Sequence, residues 1–312
     1  MRFLTSELNL SYPPISNQHG EYLLDDEEVR EYVKQSKLYM IAHREELIFH
    51  EPNILMQGFG VLTFKLKLGE ILSPTIKVSI KFVFETMKNH MHRDDGIEIQ
   101  IGEKFIRIVN EKTNDVLYWT TPDKFLFDYS RKSIDVEVDD NVDIRQFSTF
   151  ELYYVGISKS GDSFSRLFDN AHHGRLRILS NESQKESSAR LTDELMIFLF
   201  EIDSVNINSI NDISEMDDLY HQSNEIAIVA DAEKAFIKLM NTKYNKTKYK
   251  GYPNGVDGLF NSGLHRYGYS INEDITFKTD IIEFNGAWGY TEKKDLIIVE
   301  GDNIEIIQLY HS

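Results

Sequence analysis

Hydrophobic and polar residues alternate with a period of two along residues 58–138. Val61, Thr63 and Lys65 stand against Leu62, Phe64 and Leu66, and the same alternation runs from Ile76 to Phe84, Ile97 to Ile101 and Phe105 to Val109. That spacing sends successive side chains to opposite faces and predicts half-buried strands. Asn110 to Asp115 supplies a polar turn between two of them. Earlier in the chain, Tyr12-Pro13-Pro14 rules out helix, and Asp25-Asp26-Glu27-Glu28 opens one whose apolar face is Val29, Tyr32 and Val33. Later, Phe150 to Ile157 reads as a strand, Ser158 to Ser163 as a polar loop, and the next residues through Arg166 as helix. Leu195 to Phe200 is an unbroken apolar run, short enough for a buried central strand. Ile226 to Val229 leads into a helix with Ala232, Phe236 and Leu239 or Met240 facing inward and Glu233 beside them. Beyond Gly251, strands are expected at Ile281 to Phe284, Leu296 to Glu300 and Ile304 to Ile307, with a tight turn at Asp302-Asn303. Gly255, Gly258 and Gly263 lack phosphate-loop spacing and read as a plain connector.

This pattern predicts an α/β (α+β) chain in three parts. A β-rich N-terminal module spans 1–145, ending near Asp139-Asp140-Asn141; a small mixed-sheet domain with flanking helices spans 146–250; a β-containing extension spans 251–312. At 312 residues and 41% hydrophobic, the chain is long enough for more than one core. It has no cysteine, which excludes disulfides and thiolate metal sites. The first residues lack the apolar stretch of a signal peptide, so a cytoplasmic protein is expected. No apolar run of ~18 residues is present, so no membrane association is expected. His90-Met91-His92 with Asp94-Asp95 has metal-ligand residue types, but Gly96 and the acids favour an exposed turn there.

Candidate chemistry lies between Tyr153 and Asn245. The order is Tyr153-Tyr154-Val155-Gly156, Arg166-Leu167, His172-His173, Glu233, then Tyr244-Asn245. Attack on a phosphodiester needs an activated water, a cation against the growing negative charge and help for the leaving oxygen. One carboxylate suffices for Mg²⁺, which keeps most of its waters. Arg166 suits phosphoryl oxygens, and Tyr154 or a neighbouring histidine suits the water.

At these residues the chain resembles the GIY-YIG nuclease superfamily. Tyr154-Val155-Gly156 matches the YIG element, Arg166 falls at the place of the family's arginine, and His172 or His173 falls where a histidine often follows. The stretch from Glu233 through Ile237 to Tyr244-Asn245 has the family's glutamate, apolar pair and closing Tyr-Asn; Thr242 stands where proline is common. The resemblance covers about a third of the chain. It implies a Mg²⁺- or Mn²⁺-dependent endonuclease acting on nucleic acid, with DNA the expected substrate, Glu233 on the metal, Arg166 on the phosphate, Tyr154 with His173 or His172 at the nucleophile, and Asn245 in support. Tyr153, Gly156, Arg175, Arg177, Lys238 and Lys243 are the expected substrate contacts. No GIY triplet lies just upstream of Tyr154, so either Tyr153 replaces that tyrosine or the site is altered. Restriction or phage defence follows by analogy with where such nucleases occur.

The net charge of −17 opposes simple nucleic-acid binding. Locally the balance differs: Lys234, Lys238, Lys243, Lys246, Lys248 and Lys250 gather around the end of the Glu233 helix, and Arg166, Arg175 and Arg177 around the earlier one. Two alternatives remain open, a catalytically silent relative that binds nucleic acid or protein, and an acidic interaction protein whose N-terminal module binds a partner. Adjacent residues of a regular strand face opposite ways, so only one of Tyr153 and Tyr154 is expected in the cleft.

Overall fold

The computed structural model describes residues 1–55, 60–81, 96–137, 143–209, 222–289 and 293–308. His90 to Asp95 and the boundary at Asp139 to Asn141 lie outside them. The described residues form three sheets, mixed and antiparallel, with seven helices, an α+β fold. Its two compact units divide the chain differently from the hydrophobic pattern: residues 1–44 join 149–312 in one, and 45–148 form the other.

Chain order explains this. The first unit opens with β1 (Arg2–Leu10), β2 (Ile15–Ser16), α1 (Asn17–Tyr22), α2 (Glu27–Val33) and β3 (Leu38–His43). The chain then leaves for the second unit. There β4 (Leu47–Leu55), β5 (Val61–Leu68), β6 (Ile71–Leu72), β7 (Ile76–Ser79) and β11 (Val136–Glu137) make one antiparallel sheet, and β8 (Ile97–Ile101), β9 (Ile106–Asn110) and β10 (Val116–Thr120) another. The even positions Leu62, Phe64, Leu66 and Leu68 are buried with Phe49, Ile76, Ile106 and Ile108, as period-two alternation requires. Helix α3 (Pro122–Ser130) adds Phe125 and Leu126. Thr121 caps it, and Pro122 occupies its first turn, where no amide is missed.

Back in the first unit come β12 (Thr149–Ile157), α4 (Ser163–Phe168), α5 (His173–Asn181), α6 (Leu191–Glu194), β13 (Leu195–Asn208) and α7 (Glu225–Met240), then β14 (Arg266–Ile271), β15 (Thr276–Lys278), β16 (Glu283–Asn285), β17 (Leu296–Glu300) and β18 (Asn303–Ile307). Their sheet runs β16-β15-β12-β3-β13-β1-β14-β17-β18, with β2 beside β13. β12 lies parallel to β15 and β1 parallel to β14; the other pairs are antiparallel. β14 to β18, all beyond residue 251, are therefore part of this sheet. The turn between β17 and β18 is Gly301-Asp302, one residue earlier than expected, with Gly301 at φ 56°.

Candidate active site

β3 and β12 are antiparallel neighbours, with Tyr39 opposite Gly156 and His43 opposite Glu151. Between Leu152 and Tyr154 the register slips by one residue. The slip is a β-bulge, and it returns Tyr154 to the face that Tyr153 already occupies. Both tyrosines thus share one face, against the expectation from a regular strand. Tyr153 meets His43, with its hydroxyl 3.0 Å from Nδ1. Tyr154 stacks on Tyr39, ring centroids 6.1 Å apart.

Tyr39 is the residue that the sequence reading missed. Its hydroxyl lies 2.7 Å from His172 Nε2, and the His172 ring stands edge-on to both Tyr39 and Tyr154, 5.4 Å from each. Two glycines make room for these rings. A Cβ on Gly156 would fall 2.5 Å from Tyr39 Cζ and Oη, and one on Gly174 would fall 2.8 Å from Tyr154 Cε2.

His172, rather than His173, belongs to this cluster. It is the N-cap of α5, where Nδ1 accepts from the Arg175 backbone N–H at 2.9 Å. Burial, and then the charges of Arg166, Arg175 and His173, lower its pKa to about 4. A neutral ring whose Nδ1 accepts must carry its proton on Nε2. Nε2–H therefore donates to Tyr39 Oη, and the Tyr39 proton is free to point towards Tyr154. His173 is exposed at the first position of the helix.

Arg166 and Glu233 complete the cluster through their charges. Phe164 and Leu167 of α4 are fully buried, which leaves Arg166 turned outward. Its charge acts on Tyr39, Tyr154 and His172. Glu233 lies on α7 beside the buried Ala232 and Phe236, and acts on Tyr39 and Tyr154. Burial, and then the Glu233 charge, push the Tyr154 phenol up, partly offset by Tyr39 and Arg166. Burial raises Glu233 itself to about 7, against the pull of Lys159 and Lys234 and with Asp257 adding to the rise. Among the described residues neither the Glu233 carboxylate nor the Arg166 guanidinium has a hydrogen-bonding partner.

Asn245 holds the strand that carries Tyr154. β12 pairs with β15 only over residues 149–151, so the next stretch of that edge needs other partners. Tyr244 N–H donates to Tyr153 O at 3.0 Å. The Asn245 amide then brackets Val155, accepting from its N–H at 2.9 Å and donating to its carbonyl at 2.7 Å. Thr242, at the place of the common proline, donates its hydroxyl to Asn245 Oδ1 at 2.7 Å.

Most of the expected substrate contacts have partners within the chain. Arg175 is tied to Asn17, the Leu167 carbonyl and Glu21 and lies over the Phe168 ring. Arg177 sits over the Tyr244 ring at 5.8 Å. Lys238 donates to the Lys250 carbonyl, and Lys243 pairs with Glu182 at 2.6 Å. Gly156 is buried under Tyr39. Tyr153 joins a second network: its hydroxyl also donates to Glu182 at 3.2 Å, while His43 passes on to the buried Glu194 at 2.9 Å. The glycine connector is more than a link, because Leu259 N–H and the Tyr252 hydroxyl donate to buried Asp231 of α7, as does Tyr269 of β14. No family model, curated protein or solved structure matches the chain.

Glu233 is the carboxylate of this cluster that could hold a divalent ion. A part-buried carboxylate without a hydrogen-bonding partner, held near neutrality by desolvation, gains most from a cation, and Mg²⁺ asks for only one or two such ligands. Among the described residues no three His, Cys, Asp or Glu side chains gather as a zinc site would require. No helix among them is long and apolar enough to cross a membrane.

Proposed function

We propose that the chain is a divalent-metal-dependent nuclease with a GIY-YIG-like centre, hydrolysing phosphodiester bonds of nucleic acid, DNA first, in the cytoplasm. One observation carries this reading: Tyr39 of β3, Tyr154 of β12 and His172 at the cap of α5 pack ring against ring on one face of the sheet, and the charges of Arg166 on α4 and Glu233 on α7 act on the two tyrosines. Tyr39 fills the role of the tyrosine sought upstream of Tyr154.

In the reaction, the water oxygen bonds to phosphorus as the bond to the leaving sugar oxygen breaks. One proton of the attacking water passes to solvent and the leaving oxygen takes one from solvent, giving a phosphate monoester and an alcohol. Arg166 faces the charge that grows on the phosphoryl oxygens. The Tyr39 and Tyr154 hydroxyls orient the water. His172 is a positioning residue, since its donated proton fixes which way the Tyr39 hydroxyl turns. An ion on Glu233 would supply the positive charge that deprotonating a water or phenol at neutral pH demands.

The test is cleavage of labelled single- and double-stranded DNA and RNA with Mg²⁺ or Mn²⁺. Wild-type protein should cut, and Tyr39→Phe, Arg166→Ala and Glu233→Gln should each lose at least tenfold in turnover while keeping the native circular dichroism spectrum. A wild type that binds but does not cut would leave the silent relative as the better reading. Equal activity in all four proteins would point to a contaminant.

A further inference from the structure

Tyr249 lies four residues beyond Asn245 and is used by none of the roles above. Its backbone stands at φ 42°, in the left-handed region, which is costly for a residue with a large side chain. Interactions on both sides hold it there. Lys248 Nζ donates to the Thr242 carbonyl, Lys238 Nζ to the Lys250 carbonyl at 3.0 Å, and Tyr252 N–H to the Tyr249 carbonyl at 2.9 Å. The loop is fastened while the phenol is not: among the described residues the Tyr249 hydroxyl has no hydrogen-bonding partner.

The ring is half-buried, with Lys234 Nζ 6.0 Å from its centroid. Burial, then Glu233, Asp257 and Tyr154, raise its ionisation to about 12. The hydroxyl therefore lies in the field of the same carboxylate as Tyr154, and it keeps its proton at neutral pH. A protonated phenol whose ring lies by Lys234, the neighbour of Glu233 on α7, and whose hydroxyl has no hydrogen-bonding partner among the described residues, is placed to donate to an acceptor that arrives from outside. Lys234 is paired with Asp257, which leaves the exposed Lys159, whose charge also acts on Glu233, to make an anionic acceptor tolerable there.

We propose that Tyr249 is a substrate-binding residue, donating a hydrogen bond to a phosphate oxygen of the nucleic acid strand seated against Glu233. This rests on the nuclease reading of the site. Backbone strain at a residue whose hydroxyl has no internal hydrogen bond is expected where ligand binding is its use.

Tyr249→Phe tests it, because the change removes one oxygen and leaves ring and backbone in place. Cleavage of a fluorescein-labelled DNA oligonucleotide with Mg²⁺ is followed together with its binding in EDTA by anisotropy and the thermal midpoint of the protein. KM and the dissociation constant should rise about tenfold or more, with kcat changing less and the midpoint holding or rising slightly. Unchanged affinity would overturn the proposal. So would a midpoint lowered by several degrees, since that would give the hydroxyl a structural partner. Arg166→Ala separates this failure from failure of the underlying reading. If wild type and Arg166→Ala alike neither bind nor cut the oligonucleotide, the nuclease reading falls and this proposal with it; if wild type cuts and Tyr249→Phe matches it, only the role of Tyr249 falls.

Discussion

Glu233 combines two properties that seldom coexist in a merely structural carboxylate, partial burial and the lack of a hydrogen-bonding partner among the described residues, and each has a measurable consequence. In the metal-free folded protein its proton is held to about 7, against an ordinary 4.5. A carboxyl group raised in this way contributes most below the unfolded value and loses that contribution as pH rises towards the folded one. Glu233→Gln, which cannot ionise, should therefore unfold at a higher temperature than wild type at pH 8 in EDTA, by on the order of 2 kcal/mol, and the gap should close by about pH 5. Added Mg²⁺ should raise the wild-type midpoint at pH 8 and leave the variant unmoved. A gap independent of pH would remove the desolvated carboxylate from the site. Gly156 gives a second residue-scale prediction. With Tyr39 packed where its Cβ would be, Gly156→Ala should cost about 1–3 kcal/mol through overpacking and displace the Tyr39 ring. The slowly exchanging His172 Nε2–H resonance expected of the native hydrogen bond should then be lost; its persistence would mean that the ring can move aside.

Elements show which parts of the site could be read from residue order. Tyr154, Arg166, His172, Glu233 and Asn245 each sit on or next to one element whose period or cap is visible locally, so the elements that carry them are legible in the sequence. The bulge in β12 was not, because an extra residue in a strand leaves no mark in the hydrophobic pattern. β1 was hidden for another reason. Its buried row is Leu4, Ser6, Leu8 and Leu10, and Ser6 breaks the apolar alternation while pairing with Ser204 of β13 at 2.8 Å. Glu182 ties two site elements together, closing α5 and meeting Lys243, Tyr244 and Tyr153. Burial opposes its ionisation, but Lys243 and the two hydroxyls outweigh it and the net shift is downward. A carboxylate lowered in this way contributes stability above its unfolded value, and the contribution is lost as pH falls below it. Glu182→Gln should cost ~1–2 kcal/mol at pH 7, with the difference from wild type shrinking below about pH 4. A cost that stayed constant down to pH 3 would show that ionisation of Glu182 does not hold the brace.

At the scale of the whole chain, the decisive fact is an insertion. The tyrosine partner of Tyr154 lies 115 positions earlier in sequence yet on the adjacent strand, because residues 45–148 leave from the end of β3 and return at the start of β12. No local pattern announces that two strands separated by another module will pair, which is why the packing of Tyr39 on Tyr154 is not legible in the sequence around Tyr154. The inserted unit carries its own core, built from Leu47 to Phe147 without a residue from elsewhere. Its removal should leave the site standing. Joining Arg44 to Thr149 through an Asn-Gly turn would turn β3 and β12 into an ordinary antiparallel hairpin, for which that turn is suited. The shortened chain keeps Tyr39, His43, Tyr154, Arg166, His172, Glu233 and Asn245, together with every strand of the large sheet. It should unfold in one cooperative transition and retain the His172 Nε2–H resonance, and closing a shorter loop should favour folding by a few kcal/mol at most. Residues 45–148 expressed alone should unfold cooperatively as well. Calorimetry of both fragments decides the matter: a shortened chain without a cooperative transition would mean that the sheet bearing the site needs the inserted unit to fold. If the shortened chain folds and still cuts short oligonucleotides, the inserted unit is left with recognition rather than chemistry; if it folds but no longer cuts them, residues 45–148 supply something that the reaction requires.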